Sequence, residues 1–397
     1  MTRSKRAWPR DKSLRPPIIA MMARTHASSH ALELMLAFAE RTGLTSARPS
    51  ERYLWTDAFA VCNFIALDRL DLAERLAEHV HLVLGRHRTD DERSGWLSGL
   101  PEAEGERHPT RGGLRIGKRL AERRPGDALD ERLEWERDGQ YFHYLTKWMH
   151  ALDQLTRRTR QVTYNIWARE LADVARRAFT WFDPVDRGGR RMYWKMSTDL
   201  SRPLVLSMGQ HDPLDGYVTC LQLQATAERL GIVAEGPSLV EAAADFRAML
   251  AADLTTDDPL GIGGLLTDGA RLEQLEREGT QVEEGLTDRL LESAEVGLVS
   301  HVRRAELELP AEYRLPFREL GLALGLASLE LIGDRRGRLS GLRRPEGEIV
   351  DFWLHEANRR VASWREHRDI NEVMLATALV PDGFLVLAFD RARAGRG

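Results

Sequence analysis

Residues 53–67 read YLWTDAFAVCNFIAL, and the helical stretch that follows, residues 70–84, reads LDLAERLAEHVHLVL. The first carries a single charge, Asp57, near its start and is apolar on every side thereafter, the mark of a helix enclosed by protein. The second sets Glu74, Arg75 and Glu78 apart from a stripe of leucine, alanine and valine, the mark of a helix with one wet face. One buried helix and one exposed helix form a unit. The unit recurs along the whole chain.

Upstream, residues 27–42 are amphipathic and stop at Gly43. Downstream, residues 140–155, 212–230, 315–332 and 370–379 read as buried helices, and a weaker segment at 266–276 joins them. Between these lie the amphipathic stretches 164–182, 239–250, 282–304 and 349–365. No alternating or parallel-strand series competes. Helices that are apolar all round must be surrounded by others, so the pattern predicts an all-α (α/α)6 barrel of about twelve helices, inner and outer in turn. The expected organisation is a basic tail over residues 1–20 and one barrel domain over 21–390. Two interruptions rich in Arg, Gly, Pro and Asp form a long lid loop, 86–137, and a second excursion, 188–208, read as a short hairpin.

The starts of the buried helices share a character. They read Trp55-Thr-Asp57, Asp138-Gly-Gln140-Tyr141-Phe-His143-Tyr144, Gly209-Gln210-His211-Asp212-Pro-Leu-Asp215, Arg314-Leu-Pro-Phe-Arg318-Glu319 and His367-Arg-Asp369-Ile-Asn371-Glu372. Capping accounts for the aspartates, because a carboxylate accepts from free backbone N–H groups and offsets the helix dipole. It does not account for His, Gln, Tyr, Arg and Trp beside them, which supply stacking faces and donor–acceptor pairs of the kind a polyhydroxylated ring requires. In helix rhythm and in these aromatic and polar motifs the chain resembles the six-hairpin glycosidase superfamily. That superfamily includes glycoside hydrolases, unsaturated glucuronyl hydrolases and the N-acylglucosamine 2-epimerase family. The resemblance implies parallel inner helices whose N-terminal ends converge on one mouth.

At that mouth Asp212 and Asp215, with Gln210 and His211, form the densest polar cluster. Two carboxylates three residues apart share a helical face, and their repulsion can raise one pKa into the range of a general acid. The plainer reading is a helix cap in which Pro213 suits the first turn. Asp57 and Asp138 are further catalytic candidates from other inner helices, since an acid and a base can come from different helices. His143, Lys147 and His150 fall on one stripe beside Tyr144; His143 is placed for proton transfer with His211 as its partner, and His150 reads as a core histidine. Candidate binding residues are Trp55, Trp96, Gln140, Tyr141, Tyr144, Lys147, Gln210, Arg318 and Glu319, with Lys195 from the second excursion. In the lid, Arg115 and Lys118 belong to a run of basic residues from Arg111 to Arg124 that would favour an anionic substituent on a sugar, or else form a solvated face neutralised by nearby glutamates.

Composition limits the function classes. A formal net charge of −4 argues against a surface built to coat nucleic acid, and the chain's two cysteines, Cys62 and Cys220, fit a reducing, cytoplasmic setting. The apolar run 18–22 is too short to anchor in a membrane. There is no HExxH, CxxC or Walker-type loop, and Gly112-Gly113-Leu-Arg115-Ile-Gly117-Lys118 lacks the strand and the Lys-Ser/Thr ending of a phosphate loop. Neither metal nor cofactor is expected. The favoured reading is an enzyme that hydrolyses a glycosidic bond in a sugar or sugar acid by carboxylate catalysis. Sugar isomerisation or epimerisation by histidine bases, a terpenoid cyclase with an aromatic cavity, and a non-enzymatic helical scaffold stand as alternatives.

Overall fold

The computed structural model describes residues 15–183, 189–333, 339, 341 and 344–389. Among the described residues twelve helices carry the architecture. The outer ones are α1 (Arg15–Arg41), α3 (Leu70–Leu84), α5 (Val162–Phe179), α7 (Val240–Ala248), α9 (Leu286–Arg303) and α11 (Arg344–Leu354). The inner ones are α2 (Leu54–Ala66), α4 (Phe142–Thr159), α6 (Asp212–Leu230), α8 (Pro259–Arg277), α10 (Pro316–Ile332) and α12 (Arg368–Leu379). Each inner helix packs on the next, and α12 packs back on α2, so the inner ring closes. The outer helices α3, α5, α7, α9 and α11 cover α2, α4, α6, α8 and α10 in turn, while α1 covers α12. The chain is an all-α (α/α)6 barrel, and the alternation of buried and amphipathic stretches is its cause. A scaffold of open, stacked repeats does not return on itself in this way.

The expected tail, 1–20, falls mostly outside the described residues; residues 15–20 are the first turns of α1. The weak segment at 266–276 is the second half of α8, whose helix begins earlier, at Pro259, capped by the Asp258 carboxylate on the Leu260 amide. Glycines explain why that helix read weakly. Gly263 lies so close to α10 that an added Cβ would stand 2.2 Å from the Gly321 carbonyl oxygen, and one on Gly325 would stand 2.5 Å from the Gly263 Cα. The same residues that dilute the apolar pattern let two inner helices approach backbone to backbone.

The excursions add two small sheets. Helix α5 ends at Phe179, short of the expected 182, because Thr180–Phe182 (β2) leaves it to pair antiparallel with Arg190–Met192 (β3). Gln140–Tyr141 (β1), Lys195–Met196 (β4) and Pro203–Val205 (β5) form an antiparallel sheet that ties the second excursion to the start of α4. Residue 188, where the second excursion was placed to begin, lies outside the described residues.

At the far end the chain's last described segment closes the ring. Phe384 stacks on Phe59 of α2, with ring centroids 4.6 Å apart, and the Phe384 and Leu387 carbonyls meet His150 Nε2 at 2.9 Å and Arg157 Nη1 at 2.6 Å. Both cysteines are buried free thiols in inner helices. Among the described residues no helix is long and apolar enough to cross a membrane.

The close contact of α8 and α10 is directly testable. Gly263→Ala forces a methyl group into backbone and should cost about 1–3 kcal/mol, as overpacking does. Gly264→Ala meets nothing within 4 Å and should be neutral or stabilise by up to about 1 kcal/mol, since alanine is the better helix former. Denaturant unfolding of the two variants should therefore move in opposite directions, or one alone should fall.

Candidate active site

The N-terminal ends of all six inner helices border one cavity of about 2240 Å³. Trp55 of α2, His143 and Tyr144 of α4, Asp212 of α6, Leu260 of α8, Phe317 of α10 and Asp369 of α12 all line it. The loop 86–137 forms one wall through Arg88, Lys118 and Trp135, and the second excursion contributes Trp194 and Met208.

The floor is built from α4 and α6. Asp215, in the first turn of α6, meets His143 Nδ1 at 2.5 Å with one oxygen and accepts from Lys147 Nζ at 2.9 Å with the other. His143 and Lys147 are one turn apart on α4, so a single carboxylate is gripped from one helical face. Burial would push the Asp215 carboxyl up, but the Lys147 ammonium and the His143 ring more than reverse this and hold it well below the usual carboxylate range. An ionised Asp215 accepts, so the ring donates from Nδ1 and turns Nε2 toward the cavity, which its 37% exposed side chain reaches; in the neutral ring that nitrogen carries the lone pair.

Asp212 is the opposite case. Burial raises its pKa from 3.8 to about 6; the His143 ring opposes the rise and the charge of Asp215 adds to it. Its Oδ2 is buried without a hydrogen-bond partner, and a Cβ on Gly209 would stand 2.3 Å from that oxygen. Glycine at 209 is therefore what lets Asp212 sit where it does. Donor atoms of His143, Asp212 and Asp215 lie within 4.8 Å of one another. Such a trio from two helices could gather a cation, a possibility that spacing along the chain does not reveal. The ammonium on the second oxygen of Asp215 already supplies positive charge there.

Below the floor a polar column runs down the ring. Arg271 of α8 bonds Asp268 at 3.0 Å and Gln222 Oε1 at 2.7 Å, and Gln222 Nε2 donates to Asp153 at 2.7 Å. Asp153 also accepts from Arg157, Asn165 and Thr226. The Asp268 carboxyl is raised by burial and by the nearby charge of Asp215.

The walls are aromatic. Tyr53 Oη and Tyr144 Oη are 2.8 Å apart, Trp55 packs edge-on against Phe317, and Trp194 stands between Trp135 and Tyr141, with centroids 5.0 and 4.9 Å away. Burial raises the pKa of Tyr53, Tyr141 and Tyr144, so all three phenols keep their protons. Asp57 lines the cavity on α2; burial raises it to about 6, against the Arg52 guanidinium at 3.4 Å and the Tyr53 amide at 3.0 Å.

Of the residues singled out in the sequence, Asp212, His143, Trp55, Asp57, Tyr141, Tyr144, Arg115, Lys118 and Arg318 line the cavity, and Asp215 and Lys147 lie directly beneath. The others are structural in their contacts. Asp138 is buried against Arg115 at 2.6 Å and accepts from the Gly117 amide. Gln140 bonds Leu114, Gly112 and Thr198, stitching the two excursions together. His211 turns to the Leu254 carbonyl and Gln210 to that of Thr255, so neither faces His143 across the cavity. Lys195 is buried on Glu134, Glu319 is held by Arg314 and Trp353, and Trp96 lies beneath Gly105 with the Arg86 guanidinium over its ring. Tyr53, Trp135 and Gly209 also border the site; in the sequence Tyr53 shows only as the first residue of an enclosed helical stretch and Gly209 only as the residue opening a polar helix start.

No family model matches the sequence, and a search of curated proteins returns no match. Among solved structures, the cellobiose 2-epimerase of Spirochaeta thermophila is similar, with a TM-score of 0.48 and 14% identity over 92% of this chain and 98% of that one. No residue role is carried across at that distance.

The environment of Asp212 sets a pH-dependent stability. Its folded pKa, about 6, exceeds the unfolded 3.8, so its contribution is fully present below 3.8 and lost as pH rises through 6. By pH 8 an ionised Asp212 costs on the order of 3 kcal/mol, a cost that Asp212→Asn removes. The variant should melt above the parent at pH 8, with the gap closing by about pH 4. A gap of constant size across that range would show that burial does not raise this carboxyl.

Proposed function

We propose that the protein is an enzyme that moves protons on a reducing sugar, with His143 as base and Asp212 as acid, interconverting an aldose and a ketose. One observation carries this reading. A histidine oriented by a buried, ionised Asp215 shares the cavity floor with a carboxyl raised to about 6 whose Oδ2 is buried without a hydrogen-bond partner, their donor atoms within 4.8 Å. Two groups that close together address adjacent atoms of one substrate. His143 Nε2 takes the carbon-bound proton next to the carbonyl while protonated Asp212 gives its proton to the carbonyl oxygen, producing an enediol. Asp212 then takes the proton of the neighbouring hydroxyl, and His143 returns its own to the other carbon. Aromatic walls, Trp55 and Trp194 among them, suit the apolar face of a sugar ring.

Hydrolysis is the second reading, favoured by the raised pKa of both Asp57 and Asp212 on two different inner helices. A glycosidase needs a free carboxylate about 5 Å from its acid, or roughly 6.5–9.5 Å with a water between. Asp215 is spent on His143 and Lys147, and Asp57 on Arg52 and the Tyr53 amide. The geometry therefore supports proton transfer better. The lid offers an acidic substituent fewer cations than its sequence suggests: Arg115 is spent on Asp138, Arg88 on Asp90 and Arg93 on Asp91, and Glu51 and Glu136 line the cavity together with Lys118, Arg119 and Arg365.

In D2O, the protein should place deuterium on the carbon beside the carbonyl of D-fructose, D-mannose or D-glucose, followed by proton NMR. His143→Ala should slow this at least about 100-fold and Asp212→Asn comparably, as loss of a positioned acid or base does. Release of nitrophenol from nitrophenyl glycosides with no deuterium uptake would sink the isomerase reading and favour hydrolysis.

A further inference from the structure

Three tyrosines stand beside His143, and between them they hold more hydrogen-bond donors than the protein uses. A contact between two hydroxyls, as between Tyr53 and Tyr144 at 2.8 Å, consumes one of their two protons and leaves the other free to donate. The Tyr141 hydroxyl is buried and has no partner, and its ring centroid is 5.0 Å from that of Tyr144. A buried polar group left unmatched costs stability unless something else satisfies it. All three residues line the cavity that His143 and Asp212 face, and Tyr144 directly follows His143 on α4.

The surroundings hold these rings still, and Arg318 beside Tyr144 and Lys118 beside Tyr53 set cations against the nearby carboxylate of Glu136. Tyr144 packs against Trp55 at 6.4 Å and Tyr141 against Trp194 at 4.9 Å, while Lys118 Nζ lies 5.6 Å over the Tyr53 ring. Fixed donors in a desolvated site, with a cation behind them, match the charge that appears on a carbonyl oxygen when the neighbouring carbon loses its proton.

We propose that the hydrogen-bonded phenols of Tyr53 and Tyr144, with Tyr141 beside them, are the oxyanion-binding group of this site. The inference rests on the proton-transfer reading above. As His143 Nε2 takes the carbon-bound proton, the C–H electron pair becomes the new C=C bond and the carbonyl π pair moves onto oxygen. The phenols give that oxygen hydrogen bonds and keep their protons; the proton that neutralises it comes from Asp212.

The test pairs erythronohydroxamate, a polyhydroxylated mimic of an enediolate, with erythronamide, its neutral counterpart, in calorimetric titrations at pH 8. The wild type should bind the hydroxamate at least about tenfold more tightly, and Tyr144→Phe or Tyr53→Phe should lose most of that preference while amide binding changes less than about twofold. In the deuterium assay the same variants should lose about 100-fold in kcat, the scale of one oxyanion donor, with KM within about threefold. Circular dichroism identifies which variants fold, and either alone suffices. A preference retained in a folded variant, or absent from the wild type, overturns the inference. Failure of the wild type to exchange any sugar proton defeats the isomerase reading instead, and the hydroxamate preference then still decides whether the phenols bind an oxyanion.

Discussion

A carboxylate enclosed by a ring of helices stays charged only where the ring supplies its counter-charge, and Asp215 is the group on which this site turns. Its two oxygens are divided between an ammonium at 2.9 Å and an imidazole at 2.5 Å. Removing either partner would leave a buried charge half-matched, a situation that costs several kcal/mol in buried pairs generally. The same bonds orient the functional groups. Because Asp215 is ionised, its bond fixes which nitrogen of His143 carries a proton toward it; burial raises Asp212, the His143 ring opposes that rise, and the negative charge of Asp215 adds to it. One ion pair thus separates two neighbouring aspartates into an anchor and an acid.

That arrangement depends on how the barrel interior is filled. Inside the ring of six inner helices the chain fills the axis with paired polar groups. Arg271, Gln222, Asp153 and Arg157 descend from the floor to the closing segment, each bonded to the next level. The lower end is sealed by Phe384 against Phe59 and by backbone carbonyls on His150, Gln154 and Arg157. A hydrogen-bonded column below and an open mouth above leave the cavity as the side on which the floor residues meet a substrate.

Much of this is legible in the sequence because periodicity reports burial. The residues from Tyr53 to Leu67 announce an enclosed helix, and five of the six inner helices declare themselves the same way. Helix α8 does not, because Gly263 and its neighbours trade side chains for close approach, and no one-dimensional hydrophobic pattern distinguishes that from a poor helix. The site divides similarly. Asp212, Asp215 and His143 are conspicuous as polar groups at apolar helix starts, and so are Asp138, Gln140, His211 and Glu319, which turn out to bond other protein groups. What separates the two sets is the direction of each side chain relative to neighbouring helices. That information belongs to pairs of elements: the Lys147–Asp215 contact spans residues 68 apart, and Tyr53–Tyr144 spans 91.

The position of Asp212 shows which physical effect governs the mouth. It lies at the first turn of α6, where the helix dipole and free N–H groups favour a negative charge by about 0.3–1 kcal/mol, up to roughly 2 in buried settings. Taken alone, that would lower its pKa, as happens for ordinary capping aspartates. The pKa instead rises to about 6, a net shift on the order of 3 kcal/mol in the other direction. Desolvation must therefore outweigh the dipole. Gly209 leaves room for the buried Oδ2, since a Cβ there would stand 2.3 Å from it, while its own backbone hydrogen bond to the carboxyl works against the rise. The helix start delivers an aspartate to the cavity, and burial, outweighing the dipole, the neighbouring cations and the hydrogen bond from Gly209, makes it an acid and not a solvated cap.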